Sequence, residues 1–229
     1  MGGRSVIITG GFGILGRAVA DRFAAHGDRV ARIDFAASAP NAIEGGMDLA
    51  GVDLTDAKGI DAAVARVVEQ QGGIDILVNI AGGFIWETLE GDNIESWERM
   101  FSMNLRSTAT ITQRVLPVIT QSAAGRIINI GAGAAIQAES GMGAYAASKA
   151  GVHRLTEALA SELANSSVTV NAILPSIIDT PANRADMPDA DTSQWVQPHA
   201  IADVILFLSS HAARSISGAL VPVTRGQPE

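Results

Sequence analysis

The chain has 229 residues, 47% of them hydrophobic and 17% charged, with a formal net charge of −8 and no cysteine. That much apolar material supplies one large core and excludes a disordered chain, while scattered basic residues on an acidic protein exclude the basic face that a nucleic-acid partner needs. Disulfides, thiolate chemistry and cysteine metal sites are excluded too, and His26, His153, His199 and His211 lie too far apart to form a local ligand pair, so no metal is expected.

The first residues enter a strand pattern at 6–9 with no basic segment ahead of an apolar one, so no signal peptide is expected. Gly2 does not open a myristoylation motif, because Val6 stands at the required hydroxyl position. No apolar run is long enough to span a bilayer, and a cytoplasmic protein without a membrane partner is expected. Further runs rich in Val, Ile and Leu follow at 30–33, 51–54, 74–80, 126–130, 168–174 and 219–223. Several are near-continuous, as parallel strands covered on both faces are. Between them Leu15, Val19 and Phe23 share a helical face, as do Ile60, Val64, Val67 and Val68, and later Leu155, Leu159 and Leu163. This alternation predicts an α/β chain: a single domain over 1–229, doubly wound, with a seven-stranded parallel sheet and helices on both faces. The irregular stretch at about 179–197, rich in Pro, Asp, Asn and Ser, reads as a lid or binding loop.

The first strand runs into Thr9-Gly10-Gly11-Phe12-Gly13-Ile14-Leu15-Gly16, where the first helix begins. Gly11, Gly13 and Gly16 fit G-x-G-x-x-G. The first glycine permits a tight turn, the second lets backbone N–H groups approach a pyrophosphate, and the third lets helix and strand pack closely. After a first strand and before an amphipathic helix, the motif predicts a Rossmann-type dinucleotide site over residues 10–16, the alternative being a glycine-rich turn without a ligand. Asp34 ends the second strand about 20 residues on, where a carboxylate accepts from the adenosine ribose hydroxyls. It repels a 2′-phosphate, which favours NAD(H); NADP(H) stays open because Arg32 lies nearby. A solvated strand-end acid is the plain alternative. Asp53-Leu54 is expected to close the third strand and Asn79-Ile80-Ala81-Gly82 the fourth, both at carboxyl ends where open α/β sheets bind ligands.

After the fifth strand comes Tyr145-Ala146-Ala147-Ser148-Lys149. The i, i+4 spacing puts a phenol and an ammonium on one helix face. An ammonium beside a phenol favours phenolate, lowering a pKa near 10 so that the tyrosine can pass a proton. Tyr145 is the only tyrosine, and Lys58 is the only other lysine. An accidental surface pair is the alternative.

Thr9-Gly10 with its glycine-rich turn, Asn79-x-Ala81-Gly82, Asn104 in the following helix and Tyr145-x-x-x-Lys149 occur in the order of the short-chain dehydrogenase/reductase family, which the chain resembles over essentially its whole length. The resemblance implies an NAD(P)-dependent oxidoreductase that moves hydride between the cofactor and a small molecule. It implies Tyr145 as proton donor or acceptor, Lys149 holding the nicotinamide ribose and tuning Tyr145, and Asn104 positioning a relay water. It further implies that Asn171 and the segment Leu174-Pro175-Ser176-Ile177-Ile178-Asp179-Thr180 belong to the carboxamide grip, with Pro175, Ser176, Ile178 and Thr180 touching the cofactor. A homotetramer or homodimer is implied on the same ground.

Three departures stand out. Gly13 comes one place earlier than in most members, and Ser176 replaces the glycine usual after the proline. Ala132 stands where the family has its catalytic serine, thirteen residues before the tyrosine; Ser140, five residues before it, does not match the motif. The lost serine, the early Gly13 and stretches such as Gly141-Met142-Gly143-Ala144 and Gly151-Val152-His153-Arg154-Leu155 resemble the dihydropteridine reductase branch, whose members reduce a quinonoid ring with NADH. Asn104 departs from that branch. The expected reaction is hydride transfer to a carbonyl, quinonoid or imine-type small molecule, with dihydropteridine reductase proper as an alternative. A dinucleotide-binding sensor or scaffold that has lost turnover is the second class; Ala132 supports it, and Tyr145, Lys149 and Asn104 oppose it. Ala132, Phe84, Met187 and Trp195, joined by Trp86, read as an apolar pocket for a flat substrate, with ordinary core as the alternative. Trp97 is expected to pack within its own helix region, and His153 to be a helix-surface or interface residue.

Overall fold

Alternation along the first strand sets the layering. In β1 (Ser5–Thr9) Val6 and Ile8 join one core with α1 (Ile14–Ala25) and α7 (Pro198–Leu208). Ile7 points the opposite way, into a second core with α2 (Ala57–Gln71), α4 (Ser107–Ile119) and α5 (Gly143–Glu162). Both faces are therefore dry, which explains the near-continuous apolar runs. The computed structural model describes residues 3–91 and 94–225; Gly2 lies outside them.

The remaining strands are β2 (Arg29–Ile33), β3 (Met47–Leu49), β4 (Ile76–Asn79), β5 (Arg126–Ile130), β6 (Thr169–Pro175) and β7 (Leu220–Val223). They form one all-parallel sheet in the order β3-β2-β1-β4-β5-β6-β7. The winding reverses between β1 and β4, so a crevice opens at their carboxyl ends.

The third strand departs from the expected 51–54. It lies at Met47–Leu49, with Met47 opposite Ala31 and Leu49 opposite Ile33. Gly51, at φ 69°, turns the chain off the sheet edge, and Asp53-Leu54 belongs to the loop that follows. A three-residue edge strand interrupted by Asp48 carries little apolar signal, and Asp48 is there to meet Arg32 of β2.

After β4 the helical run is not uniform. The short α3 (Glu95–Met100) passes through a π-type stretch, Phe101–Arg106, before α4 begins. Such widened turns recur at functional sites, and this one contains the buried Asn104. The lid-like segment holds α6 (Pro181–Asp186) and is fastened at its base. Asp179 N donates to Val196 O and Val196 N to Ile177 O, both at 2.8 Å. The Asp179 carboxylate takes Arg184 Nε at 2.5 Å and Gln197 Nε2 at 2.7 Å, which hold its pKa down to about 2. Among the described residues no helix is long and apolar enough to cross a membrane.

Candidate active site

The glycine turn is shaped by close approach. The tight turn falls at Gly10, φ 63°, rather than at Gly11; a Cβ on Gly10 would lie 2.9 Å from the Ala81 amide nitrogen. Gly11 presses on the Arg32 side chain, and a Cβ on Gly16 would overlap the Gly10 carbonyl oxygen. Gly13 starts α1 with no side-chain cap and no acidic residue in the first turn. The first N–H groups of that helix thus face the crevice at its positive end, the arrangement an anionic phosphate needs.

A groove of about 1100 Å³ runs along these carboxyl ends. Gly10, Phe12, Gly13, Ile14, Leu15 and Gly16 line one wall, together with Asp34, Asp53, Leu54, Ala81 and Gly82. Gly11 lies behind them. Asp34 folds back over the turn, accepting from Phe12 N at 2.9 Å and Ala36 N at 3.0 Å. Asp53 accepts from both the amide and the hydroxyl of Thr55, which hold its carboxyl below the usual range. Arg32 does not reach the groove. Its buried guanidinium is engaged by Asp48 at 2.7 and 2.8 Å and by the Asn41 carbonyl at 2.6 Å. Asn79 also points elsewhere: it is buried between β4 and β5, donating to Asn129 Oδ1 at 2.8 Å and Thr112 Oγ1 at 3.1 Å.

From the expected carboxamide grip, Thr180 lines the groove and caps α6 through Asn183 N. Pro175 is buried within β6, Ser176 N is spent on Val223 O, and Ile178 bridges Val196. Asn171 staples β6 to the approach of β7, donating to Ile216 O and accepting from Ala219 N.

Across the groove the side chains interlock. Asn104 clamps the segment after β4 from two directions: its Oδ1 accepts from Gly83 N at 2.9 Å, and its Nδ2 donates to Gly83 O at 3.1 Å. The same Nδ2 donates to Ser148 Oγ at 2.9 Å, and Ser148 donates to the Tyr145 carbonyl at 2.7 Å. Lys149 is buried beside them, 3.4 Å from where a Cβ on Gly82 would sit, and its Nζ donates to Ile130 O at 2.7 Å. Burial lowers its pKa to about 8.

Tyr145 meets Phe84 edge to face, ring centroids 5.0 Å apart. The expectation of a phenol acidified by its neighbour is not met. Burial pushes Tyr145 up to about 12, because its desolvation is unopposed while Lys149 turns its ammonium to the end of β5.

Ala132 is buried at the β5 exit, and its amide donates to His153 Nε2 at 3.3 Å. His153 is thus an interior residue of this chain, where a helix-surface or interface residue was expected. Trp195 is almost fully buried, Met187 is half-buried, and Phe84 and Trp86 stay exposed, with Trp86 lying over Gly141. Trp97 lies against the start of α5 at Gly143.

The role of Thr9, and the presence of several further residues, are set only by the fold. Thr9 Oγ1 accepts from Ile80 N at 3.1 Å and Ala81 N at 3.2 Å, fixing the floor of the groove. A hydroxyl ending an otherwise apolar strand was the available signal. Arg99, Ser102, Met103 and Ser107 line the groove from the helical run after β4, and only the fold brings them there.

Fold and site together define the class: a doubly wound oxidoreductase with a nucleotide-sized groove beside a half-buried tyrosine and a buried lysine one turn apart. A short chain dehydrogenase family model matches residues 4–191. The chain is 34% identical to the 3-oxoacyl-[acyl-carrier-protein] reductase MabA of Mycobacterium tuberculosis, over 97% of this chain and 92% of that protein. It superposes on aldohexose dehydrogenase of Thermoplasma acidophilum in ligand-free form with a TM-score of 0.88 at 25% identity, covering 96% and 92% of the two chains. The 3-ketoacyl-(acyl-carrier-protein) reductase of Brucella melitensis complexed with NADH gives 0.87 at 27% identity, covering 96% of each. The chain belongs to the short-chain dehydrogenase family.

Proposed function

We propose that this chain is a cytoplasmic, NADH-preferring reductase of a small molecule with a quinonoid, imine or activated carbonyl group, with Tyr145 as proton donor. It works as a single domain over 1–229 with 179–197 as a lid, in a homotetramer or homodimer. The observation that carries the reading is the Tyr145–Lys149 pair on one face of α5, tied through Ser148 and Asn104 to the segment that edges the groove.

The groove fits a nicotinamide dinucleotide on its own geometry. The uncapped start of α1 suits the pyrophosphate, and the Asp34 carboxylate suits a ribose bearing free hydroxyls. The NADH complex of the Brucella relative supports the same choice. When bound, the dinucleotide supplies hydride to an electrophilic carbon. Tyr145, protonated throughout the physiological range, hands its phenolic proton to the substrate oxygen or nitrogen. The phenolate left on Tyr145 regains its proton from solvent, and Lys149, one turn away with a pKa near working pH, holds the ribose.

Substrate class follows from Ala132. A methyl group offers no hydrogen bond to a developing oxyanion, and the amide of the same residue is spent on His153. A substrate that spreads its charge needs less help there. This also favours a second, narrower reading, dihydropteridine reductase proper. The test measures kcat/KM for a simple ketone and a quinonoid acceptor in the natural protein and in Ala132→Ser. Ketone reduction by the natural protein should be poor, and the serine should raise it about 100- to 1,000-fold, the worth of one such donor. Quinonoid reduction should change little. Efficient ketone reduction by the natural protein defeats the substrate assignment and points to another donor, Ser140 first. If none of these acceptors supports NADH oxidation, the sensor or scaffold reading is left.

A further inference from the structure

The face of α5 that carries Tyr145 and Lys149 continues one turn to His153, whose side chain is 2% exposed. Its ring stands against Gly131. A Cβ there would overlap Nε2, and Leu174 Cδ1 forms another wall 3.3 Å from the same point. The three residues leaving β5 are each held. Lys149 Nζ donates to Ile130 O at 2.7 Å, Gly131 N donates to Ile173 O at 2.8 Å, and Ala132 N donates to His153 Nε2 at 3.3 Å. Residue 132 is where the family resemblance places the group that faces the substrate.

An N–H donor needs a bare nitrogen opposite it, so His153 serves as the neutral tautomer protonated on Nδ1. Burial, Arg154 and Lys149 hold its pKa below the ordinary value, while Glu157, itself paired with Arg154 at 2.8 Å, pulls the other way. Those three charged groups lie on α5. The β5 exit and β6 meet the ring with the backbone of 131–132 and with Leu174, none of them charged.

We propose that neutral His153 is a positioning residue that aims residues 130–132 into the active site, and that its protonation disengages them and lowers turnover. A proton on Nε2 replaces the acceptor by a donor facing the Ala132 N–H and adds a second cation one turn from Lys149. The bond to Ala132 is then lost and the segment is held from one side only. The effect on turnover rests on the reductase reading above; the hydrogen bond does not.

The experiment follows kcat and KM from about pH 5 to 9 with NADH and a quinonoid acceptor, in the natural protein, His153→Gln and His153→Leu. The imidazole nitrogens of His153 and the amide of Ala132 are followed by NMR over the same range. The natural protein should lose kcat on the acid side, below the ordinary histidine range, with KM for NADH steady because the groove is built by other elements. His153→Leu should lower kcat about tenfold at neutral pH, the worth of one hydrogen bond, and should show no further fall on the acid side, where the natural protein converges on it. His153→Gln, a neutral acceptor that does not titrate, should restore neutral-pH turnover and lack the acid limb. The Ala132 amide should shift with the midpoint of the His153 ring. An acid limb unchanged in His153→Gln, or an Ala132 resonance indifferent to the ring titration, overturns the proposal. If no acceptor is reduced, the reductase reading fails while the NMR titration still decides the hydrogen bond. If His153→Leu does not fold, the glutamine variant and the natural protein decide it.

Discussion

Around the glycine turn the molecule presents backbone: the open N–H groups of α1 and the close approach of Gly10 to Ala81 and of Gly16 to Gly10, with the Asp34 and Asp53 carboxylates at the rim. Where α5 meets the β4 and β5 exits it presents side chains. Asn104, Ser148, Lys149 and His153 are buried, each hydrogen-bonded to the next element, with Tyr145 at their edge. The difference follows from the ligand chemistry. A pyrophosphate is recognised by many weak, fixed dipoles, and backbone supplies those without side-chain entropy loss. A proton must be held at one atom, which requires a titratable side chain whose surroundings tune it. Changes at the turn should therefore appear in cofactor binding, and changes around α5 in turnover.

The sharpest way to break this contrast is Tyr145→Phe. It should lower kcat about 100- to 10,000-fold, the usual worth of a positioned acid, while NADH binding measured by fluorescence stays nearly intact. Lys149→Ala should damage both. Near-normal turnover in the phenylalanine variant would remove Tyr145 from the mechanism.

Gly16→Ala tests the other half. The added methyl overlaps the Gly10 carbonyl, and overpacking of this kind costs about 1–3 kcal/mol. NADH should bind roughly ten- to a hundredfold more weakly, with a lower Tm and a smaller change in kcat at saturation. Unchanged affinity would mean that the backbone of the turn does not shape the groove.

The proposed preference for NADH rests on the Asp34 carboxylate. A 2′-phosphate beside it should cost several-fold to about a hundredfold in affinity. NADH should be preferred in the ratio of kcat/KM values, and Asp34→Ser should narrow that ratio. Equal use of NADPH by the natural protein would overturn the assignment.

The smallest effect concerns stability against pH. Burial lowers Lys149 to about 8 in the folded chain from the ordinary 10.5, so above pH 8 the unfolded chain binds more protons and stability rises with pH. Tyr145 titrates at about 12 against 10.0, so above pH 10 the folded chain binds more protons and its contribution falls. Urea titrations should show a gain of about 1 kcal/mol between pH 8 and 9 that is absent from Lys149→Met. An equal gain in that variant would place its source outside the side-chain half.

What the sequence determined on its own was whatever depends on spacing along the chain. Strand–helix alternation, the turn at residues 10–16, Asp34 at a strand end and the placement of Tyr145 and Lys149 on one helix face are legible because each is a local period or offset. Tertiary structure decided what those groups touch. Arg32 is withdrawn from the groove because β3 brings Asp48 beside it across the sheet edge. Asn79 faces the core because its place in β4 sets it between Asn129 and Thr112. Lys149 turns to Ile130 rather than to the phenol, and His153 is interior, because α5 lies across the β5 exit. Thr9 reaches Ala81, 72 positions away, only because β1 and β4 pair. A hydrogen bond between distant positions leaves no periodic trace in either segment; packing the sheet between its two helical layers creates it.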